Sequence, residues 1–516
     1  MAQESRVKKT LLNARVNLIF YFLTLALSFF SRKIFLDTLG ADFVGLTGTL
    51  QNLLGFLNLA ELGVGSAIGY LLYKPLYDHD QNKINEIISV MGYLYRWIGL
   101  IILAAGILLS FFLPLIFPSD NTGFPITLIY FAYFSFLGSS LIGYFINYRQ
   151  NLLGADQRNY VVTAYFQTAT IIKTLIQMAL AWYTGSYYLW VVIEFTFGII
   201  YSFILNWKIN QTYPWLRASI SSGRALFRQY PEVMTKTKQL FVHKIAGFAQ
   251  FQSQSFFIYM FVSLGGVAMV GNYLMIVDKL NVLLNTFLSS SGAGVGNLIA
   301  EGNKTKIMSV FWQMFSLQFF VATFIVYILY KSIDSFISIW VGEEYILSGV
   351  IVVLILIKTF LSFTRSTVDQ FIFGYGLFYD VWAPLAEALI YVIVALVGGY
   401  FFGLKGVLCA GIISLIVIVE LWKPYFLFRS GLKVSVWNYW NGYFKCFFFS
   451  FLSIVFCNSI IDYLVTLPAT VSVIIWIKYV FIVSLIFLIV ISSVYFVGNK
   501  HFRSVVGLFY QKIFLR

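Results

Sequence analysis

The apolar positions of this chain come in long unbroken runs, not in alternation and not as one-sided stripes. The segment SLIFLIVISSVYFV at 484–497 carries no charge at all. A membrane-barrel strand alternates apolar and polar residues, so runs of this kind predict helices that are apolar all round. A bilayer core roughly 30 Å thick is crossed by about 20 helical residues. Runs that meet this length cover 15–37, 43–72, 88–117, 124–148, 161–183, 187–207, 241–263, 267–298, 307–330, 347–373, 381–402, 405–428, 445–464 and 470–497, about fourteen expected spans. The second, third and eighth are long enough to tilt, bend or project. The division near Gly403 and the pair after Lys445 carry the weakest pattern.

The beginning, MAQESRVKKTLLNARVN, is basic and runs straight into NLIFYFLTLALSFF. No small-residue cleavage site followed by a polar segment appears, so the first run is expected to stay as a span. Between spans, Lys and Arg crowd one set of loops. These include Arg6, Lys8, Lys9, Lys74, Lys83, Arg149, Arg158, Lys208, Arg217, Arg224, Lys304, Lys423, Arg429 and Lys500. The opposite loops hold little more than Lys331 and Lys405. The bias predicts that both termini are cytoplasmic.

Composition agrees with the pattern. Apolar residues are 60% of the chain, charged residues 11%, and the mean hydropathy is +0.83. Soluble domains carry about 25% charged residues, and no water-soluble fold could hide this much apolar surface. The expected class is an all-α integral membrane protein. Its net charge of +14 is read as the loop bias, not as nucleic-acid binding. Cys409, Cys446 and Cys457 lie in apolar runs, and His79, His243 and His501 are far apart, so neither a disulfide framework nor a metal site is expected.

The longest polar stretch, 208–240, is basic and contains Pro214 and Pro231. It divides the expected spans into a first six-helix lobe, 1–207, and a second, 241–430, with a helix pair and cytoplasmic tail in 431–516. A surface-lying amphipathic helix is expected within the stretch. A short repeat supports the division. Leu39-Gly40 with Val44-Gly45 resembles Leu264-Gly265 with Val270-Gly271, and Gln150-x-x-x-Gly154 resembles Gln370-x-x-x-Gly374. An offset of six spans preserves orientation, as in parallel transporter repeats.

Ionisable residues inside spans cost about 2.5–3.5 kcal/mol each at a helix centre and normally face a bundle interior or a wet cavity. Lys173, Asp278, Lys279, Lys358 and Arg365 fall at such positions, with Arg32 and Lys33 near one end of the first span and Glu61 in the second. Cations predominate, which suits a phosphate or another acidic group: Arg grips phosphate with two bonds and Lys acts as a point charge. Plainer roles compete. Arg32 and Lys33 can snorkel to an interface, and Glu194 and Glu420 can serve as structural partners of basic residues. Asp278 and Lys279 diverge by about 100° on a helix, so each needs another partner. Polar stripes at Gln51, Gly55, Asn58 and Gly65, and at Asp278, Asn281 and Asn285, suit either a cavity or hydrogen bonds between helices. No Walker A sequence and no Ser/His/Asp or Cys/His arrangement in a polar setting occurs. Gly292-x-Gly294-x-Gly296 lacks the strand–turn–helix setting of a nucleotide loop. An enzyme is not expected.

The segment RKIFLDTLGADFVGLTGTLQNLLGFLNLAELGVGSAIGYLLYKP at 32–75, and the later NLLGADQRNY at 151–160, resemble Wzx-type polysaccharide flippases. That family belongs to the multidrug/oligosaccharidyl-lipid/polysaccharide exporter superfamily. The resemblance implies two six-helix lobes forming a V around a central cavity, plus a C-terminal helix pair. It implies a polyprenyl-diphosphate-linked glycan as the substrate, membrane lipids and other polysaccharide assembly proteins as partners, and a bacterial inner membrane as the location. It gives Arg32 and Lys33 the role of functional cations and Glu61 that of a gate or ion partner. No cofactor is implied, and coupling would be to protons or sodium. The alternatives are a multidrug exporter, for which the deep charges are of the wrong sign, and a membrane-embedded polymerase or glycosyltransferase, for which the loops are too short.

Overall fold

The computed structural model describes the chain except for residues 1–5, 62–63, 119–121, 157, 232, 235–236, 238–251, 290–294, 297, 300, 378, 465–471 and 515–516. Gly292, Gly294, His243 and the first half of the expected seventh span lie outside the described residues. All regular structure among the described residues is helical. Among the described residues, eleven helices are long and apolar enough to cross a membrane. Large apolar side chains such as Phe203, Phe401, Phe402 and Val497 are about three-quarters exposed. On a soluble monomer an apolar surface of this extent would be an aggregation site; against lipid it is the expected exterior. The chain is a multi-pass membrane protein.

It divides into two compact units, Met1–Ala268 and Met269–Arg516. In the first, α1 runs from Arg6 to Leu57 with a kink at Gly40. There φ is +82° and ψ 160°, a conformation that glycine adopts without a Cβ clash. The runs expected at 15–37 and 43–72 are therefore joined through 57, and the interruption falls later, at a 3-10 turn Asn58–Glu61, before α2 (Val64–Asp78). Next come α3 (Gln81–Ser110), α4 (Ile126–Phe145), α5 (Asn159–Thr184) and α6 (Tyr187–Thr212). Helix α3 starts where Asp80 accepts from the Lys83 backbone N–H. Its buried Ile84, Ile87, Ile88, Met91, Tyr95, Ile98 and Ile102 recur at helical spacing and face the core. Gly185, at φ +59°, ends α5, and Ser186 caps α6.

The expected amphipathic helix in the polar stretch is α7 (Ile220–Phe227), and it is docked rather than loose. A Cβ on Gly223 would lie 2.3 Å from the Ser89 carbonyl oxygen of α3. The Ser219 and Arg217 backbone N–H groups donate to Ser89 Oγ and Asn85 Oδ1, and the Tyr230 hydroxyl donates to Glu86 Oε2. Burial and the Glu86 carboxylate push the Tyr230 phenol up to about 12. Residues 252–261 are helical, and the Asn52 amide donates to Ser255. Helix α8 (Leu264–Ser289) starts in the first unit. Gly45 lets α1 reach it: a Cβ there would lie 2.0 Å from Leu264 O. The two motifs of the short repeat thus touch, through Gly45 and Leu264.

In the second unit, α9 (Lys304–Trp340) has 37 residues, about 55 Å of helix. It exceeds the bilayer core and must tilt or project. Then follow α10 (Gly349–Thr364), α11 (Ser366–Gly374), α12 (Trp382–Phe402) and α13 (Leu404–Ser414). Helix α13 continues through wide π-helical turns at Leu415–Trp422 and Leu427–Leu432. Gly403 alone, at φ +56°, separates α12 from α13. The two helices touch backbone to backbone, since a Cβ on Gly406 would lie 1.9 Å from Gly398 O. The terminal helices are α14 (Trp437–Leu464), α15 (Val473–Gly498) and the amphipathic α16 (Lys500–Phe514). Phe311, Phe315, Phe319, Phe371, Phe428 and Tyr439 form one aromatic core. Tyr327, Phe487, Ile491, Tyr495 and Phe502 join α9 to the terminal helices.

Candidate functional site

In the first unit, α1 gives way to the 3-10 turn Asn58–Glu61. Glu61 sits there with both carboxylate oxygens occupied. The Tyr95 hydroxyl donates to Oε1 at 2.5 Å, and the Tyr144 hydroxyl donates to Oε2 at 2.9 Å. Tyr144 Oη also stands 3.0 Å from Asn58 Oδ1, which accepts from Ser140 at 3.3 Å. Both tyrosines are buried, on α3 and α4 respectively. Two hydroxyl donors, one on each oxygen, fix the position of the carboxyl group. Gly65, on the first turn of α2, leaves room for this group: a Cβ there would lie 3.1 Å from Tyr95 Oη.

The other first-unit candidates are separate. Arg32 Nη2 donates to the Ala268 carbonyl at 2.9 Å. Lys33 pairs with Asp37 one turn on at 3.3 Å, nearly half exposed, a contact worth about 0–1 kcal/mol. Lys173 pairs with Glu194 at 2.7 Å across α5 and α6, and Gln177 donates to the second Glu194 oxygen at 3.1 Å. Gln51 is exposed, and Gly55 packs on the Gln252 side chain.

In the second unit, Asp278 on α8 and Lys358 on α10 lie close enough to interact electrostatically. Gly411 of α13 provides the bed for Lys358: its Cβ would meet Lys358 Cε at 3.0 Å and Nζ at 3.4 Å. Lys279 and Asn281 are part-buried on α8, and the Asn285 side chain lies outside the described residues. Arg365, at the joint between α10 and α11, belongs to a larger cluster. Its Nε donates to Asp369 Oδ2 at 2.8 Å, and Lys423 donates to Asp369 Oδ1 at 2.7 Å. Glu387 and Glu420 are each about nineteen-twentieths buried; Glu387 feels Arg365, Lys423 and Asp369, and Glu420 feels Arg365 and Asp369. Thr364 stands 3.5 Å from Glu420, and Tyr439 is hydrogen-bonded to it. Three carboxylates thus surround two cations. Fully ionised, the cluster would bury one uncompensated negative charge, a state that a proton or a small cation relieves. The π-helical turn at 415–422 carries Glu420, and wide turns of this kind recur at functional sites.

The comparisons with known proteins fit this architecture. No protein-family model matches the sequence, and no curated protein matches it. Among solved structures, the chain is similar to the lipid II flippase MurJ in an inward closed conformation. The TM-score is 0.65 at 16% identity, covering 92% of this chain and 98% of that one. It is also similar to an inward-facing multidrug resistance MATE family transporter of the MOP superfamily, with TM-score 0.55 at 13% identity, covering 81% of this chain and 99% of that one. The fold is the one these membrane transporters share.

Each unit gathers some of the residues singled out from sequence. Asn58 and Glu61 come together, and so do Asp278 and Lys358. Arg32, Lys33 and Lys173 each have local partners, and Arg365 joins a cluster that sequence reasoning did not assemble. Asp369, Lys423 and Glu387 were missed there, as were Tyr95 and Tyr144 around Glu61. The signals were available in part: Asp369 is four residues beyond Arg365, and Glu387 stands alone in the apolar run WAPLAEALIYV.

Proposed function

We propose that this protein is a flippase. It moves a polyprenyl-diphosphate-linked oligosaccharide, the repeat unit of an O-antigen, capsule or exopolysaccharide, across the bacterial inner membrane by alternating access, with both termini cytoplasmic. The observation that carries this reading is the extent of the structural likeness. The flippase covers nearly the whole chain, whereas the multidrug transporter leaves about a fifth of it unmatched. The resemblance of residues 32–75 and 151–160 to polysaccharide flippases supports it from the sequence side.

The chemistry is compatible. A lipid tail can remain in the bilayer while the glycan and diphosphate pass through a wet space. Lys358 is assigned to that space and to the diphosphate, with Asp278 holding the ammonium in place between substrates. Lys279, Asn281 and Gln51 are assigned to neutral and charged contacts with the glycan. The Glu61 site and the Glu387–Glu420 cluster are the places where a proton or sodium gradient would be coupled. Other polysaccharide assembly proteins are the expected partners.

The test is outer-leaflet accessibility of lipid-linked glycan in a strain lacking the protein. Re-expression should restore accessibility, and Lys358→Ala at equal abundance should not. If glycan reaches the outer leaflet equally well without the protein, while resistance to cationic drugs changes, the multidrug exporter is the correct reading.

A further inference from the structure

A second basic site lies in the second unit, lined by residues that are not among the substrate or coupling candidates above. Where the last π-helical turn of α13 ends, a hollow of about 450 Å³ is lined by Tyr425, Arg429, Lys433, Val434, Ser435 and Val436. Its shape is set by the backbone. Lys433 takes φ +55°, a left-handed cap, and the Val434 N–H donates back to Phe428 O. Gly431 packs against Tyr375 and Leu377 beneath.

The side-chain polar groups lining this hollow can all donate. The Arg429 guanidinium lies over the Tyr425 ring, 5.6 Å from its centre, and donates to the Tyr425 hydroxyl. That hydroxyl keeps its own proton to give, and most of the guanidinium N–H groups stay uncommitted. Ser435 Oγ accepts from the Trp437 N–H at 3.3 Å, which leaves the Ser435 proton to donate as well. Lys433 adds a mobile ammonium. No carboxylate lines the hollow, and among the described residues neither Arg429 nor Lys433 forms an ion pair. The sequence explains why: between Glu420 and Asp462 there are four cations, Lys423, Arg429, Lys433 and Lys445, and no acidic residue. Two cations and two hydroxyls without a carboxylate favour an anion with several oxygens.

We propose that this hollow binds a phosphate monoanion, in the form of an anionic phospholipid headgroup. Val434 and Val436 provide apolar wall beside the charges. Trp437, three-quarters exposed, opens α14 next to them. A tryptophan beside basic residues at a helix end marks the headgroup layer of a bilayer, where basic pockets between spans take lipid phosphates.

The test uses the purified full-length protein in detergent, titrated with dioctanoyl phosphatidylglycerol, dioctanoyl phosphatidylcholine and inorganic phosphate. The variants are Arg429→Gln, Lys433→Asn, their double, and Lys445→Gln as a nearby cation outside the hollow. Asn tolerates the left-handed backbone at 433, and Arg429→Lys keeps the charge while losing the fork should the double fold poorly. Saturable phosphatidylglycerol binding, at least about ten-fold weaker in the double and unchanged in Lys445→Gln, supports the site. Failure of inorganic phosphate to compete then assigns the lipid as its source. Competition by inorganic phosphate that the same variants abolish supports the phosphate site with a free anion as the source instead. Equal binding by wild type and double, or an equal loss in Lys445→Gln, overturns it.

Discussion

Tyr95, midway along α3, donates a 2.5 Å hydrogen bond to Glu61 at the break that follows α1. The bond holds the most irregular part of the first unit to one of its most buried helices. Tyr95→Phe would leave Glu61 Oε1 without its hydroxyl. A loss of about 1–3 kcal/mol is expected, as for any buried acceptor deprived of its donor. A lower thermal unfolding midpoint in detergent checks it, and an unchanged midpoint would mean that the bond contributes nothing net.

The two deep cations of α10 and its extension should behave differently when removed. Lys358→Ala takes away a side chain that rests on Gly411 and interacts with Asp278, and abundance should hold while glycan export falls. Arg365→Ala opens the Asp369 cluster, so abundance should fall together with export. Quantitative immunoblotting alongside the export assay separates the two. Equal abundance losses would place Lys358 in the framework.

Asp369 bridges Arg365 and Lys423, and its removal leaves both cations without the carboxylate that is hydrogen-bonded to them. Asp369→Ala should cost ~2 kcal/mol, less than a fully buried pair because the partners are partly solvated. The double variant Arg365→Ala with Asp369→Ala should lose less than the sum of the two single losses. Thermal unfolding of all three decides this, and additive losses argue against ionic coupling.

His501, outside the spans at the start of α16, has its pKa lowered by burial and then by Lys500 and Lys445. The folded protein therefore resists protonating it. Its contribution to stability is complete above about pH 6.5, the unfolded value, and is lost as the pH falls below that. The wild type should lose thermal stability between pH 7.5 and pH 5.5 by more than His501→Gln does. Parallel pH dependences would assign the acid sensitivity elsewhere.

The helices were readable because lipid demands continuous apolar runs, and the docked α7 was readable from its basic, amphipathic composition. Gly40 as the kink was not, since nothing local distinguishes it from Gly45, whose role is packing. The π-helical turns around Glu420 have no sequence signal that differs from an ordinary helix. At the candidate sites, lone charges such as Lys173 and Lys358 stood out against apolar neighbours, but their partners come from other helices. Glu194 and Asp278 were visible as charges and not as partners. Lys423 was misleading for a physical reason: near a helix end it reads as a loop cation, and only the approach of α11 turns it inward to Asp369.

Gly403 is the whole connection between α12 and α13, and the glycines Gly398 and Gly406 then seal the pair backbone to backbone. During synthesis such a connection gives the insertion machinery no loop to retain in water while the first helix settles in lipid. The two helices must therefore leave the translocation channel together, already folded on each other. Their topology is decided once, for the pair, and charges placed within the turn have little power to reverse it.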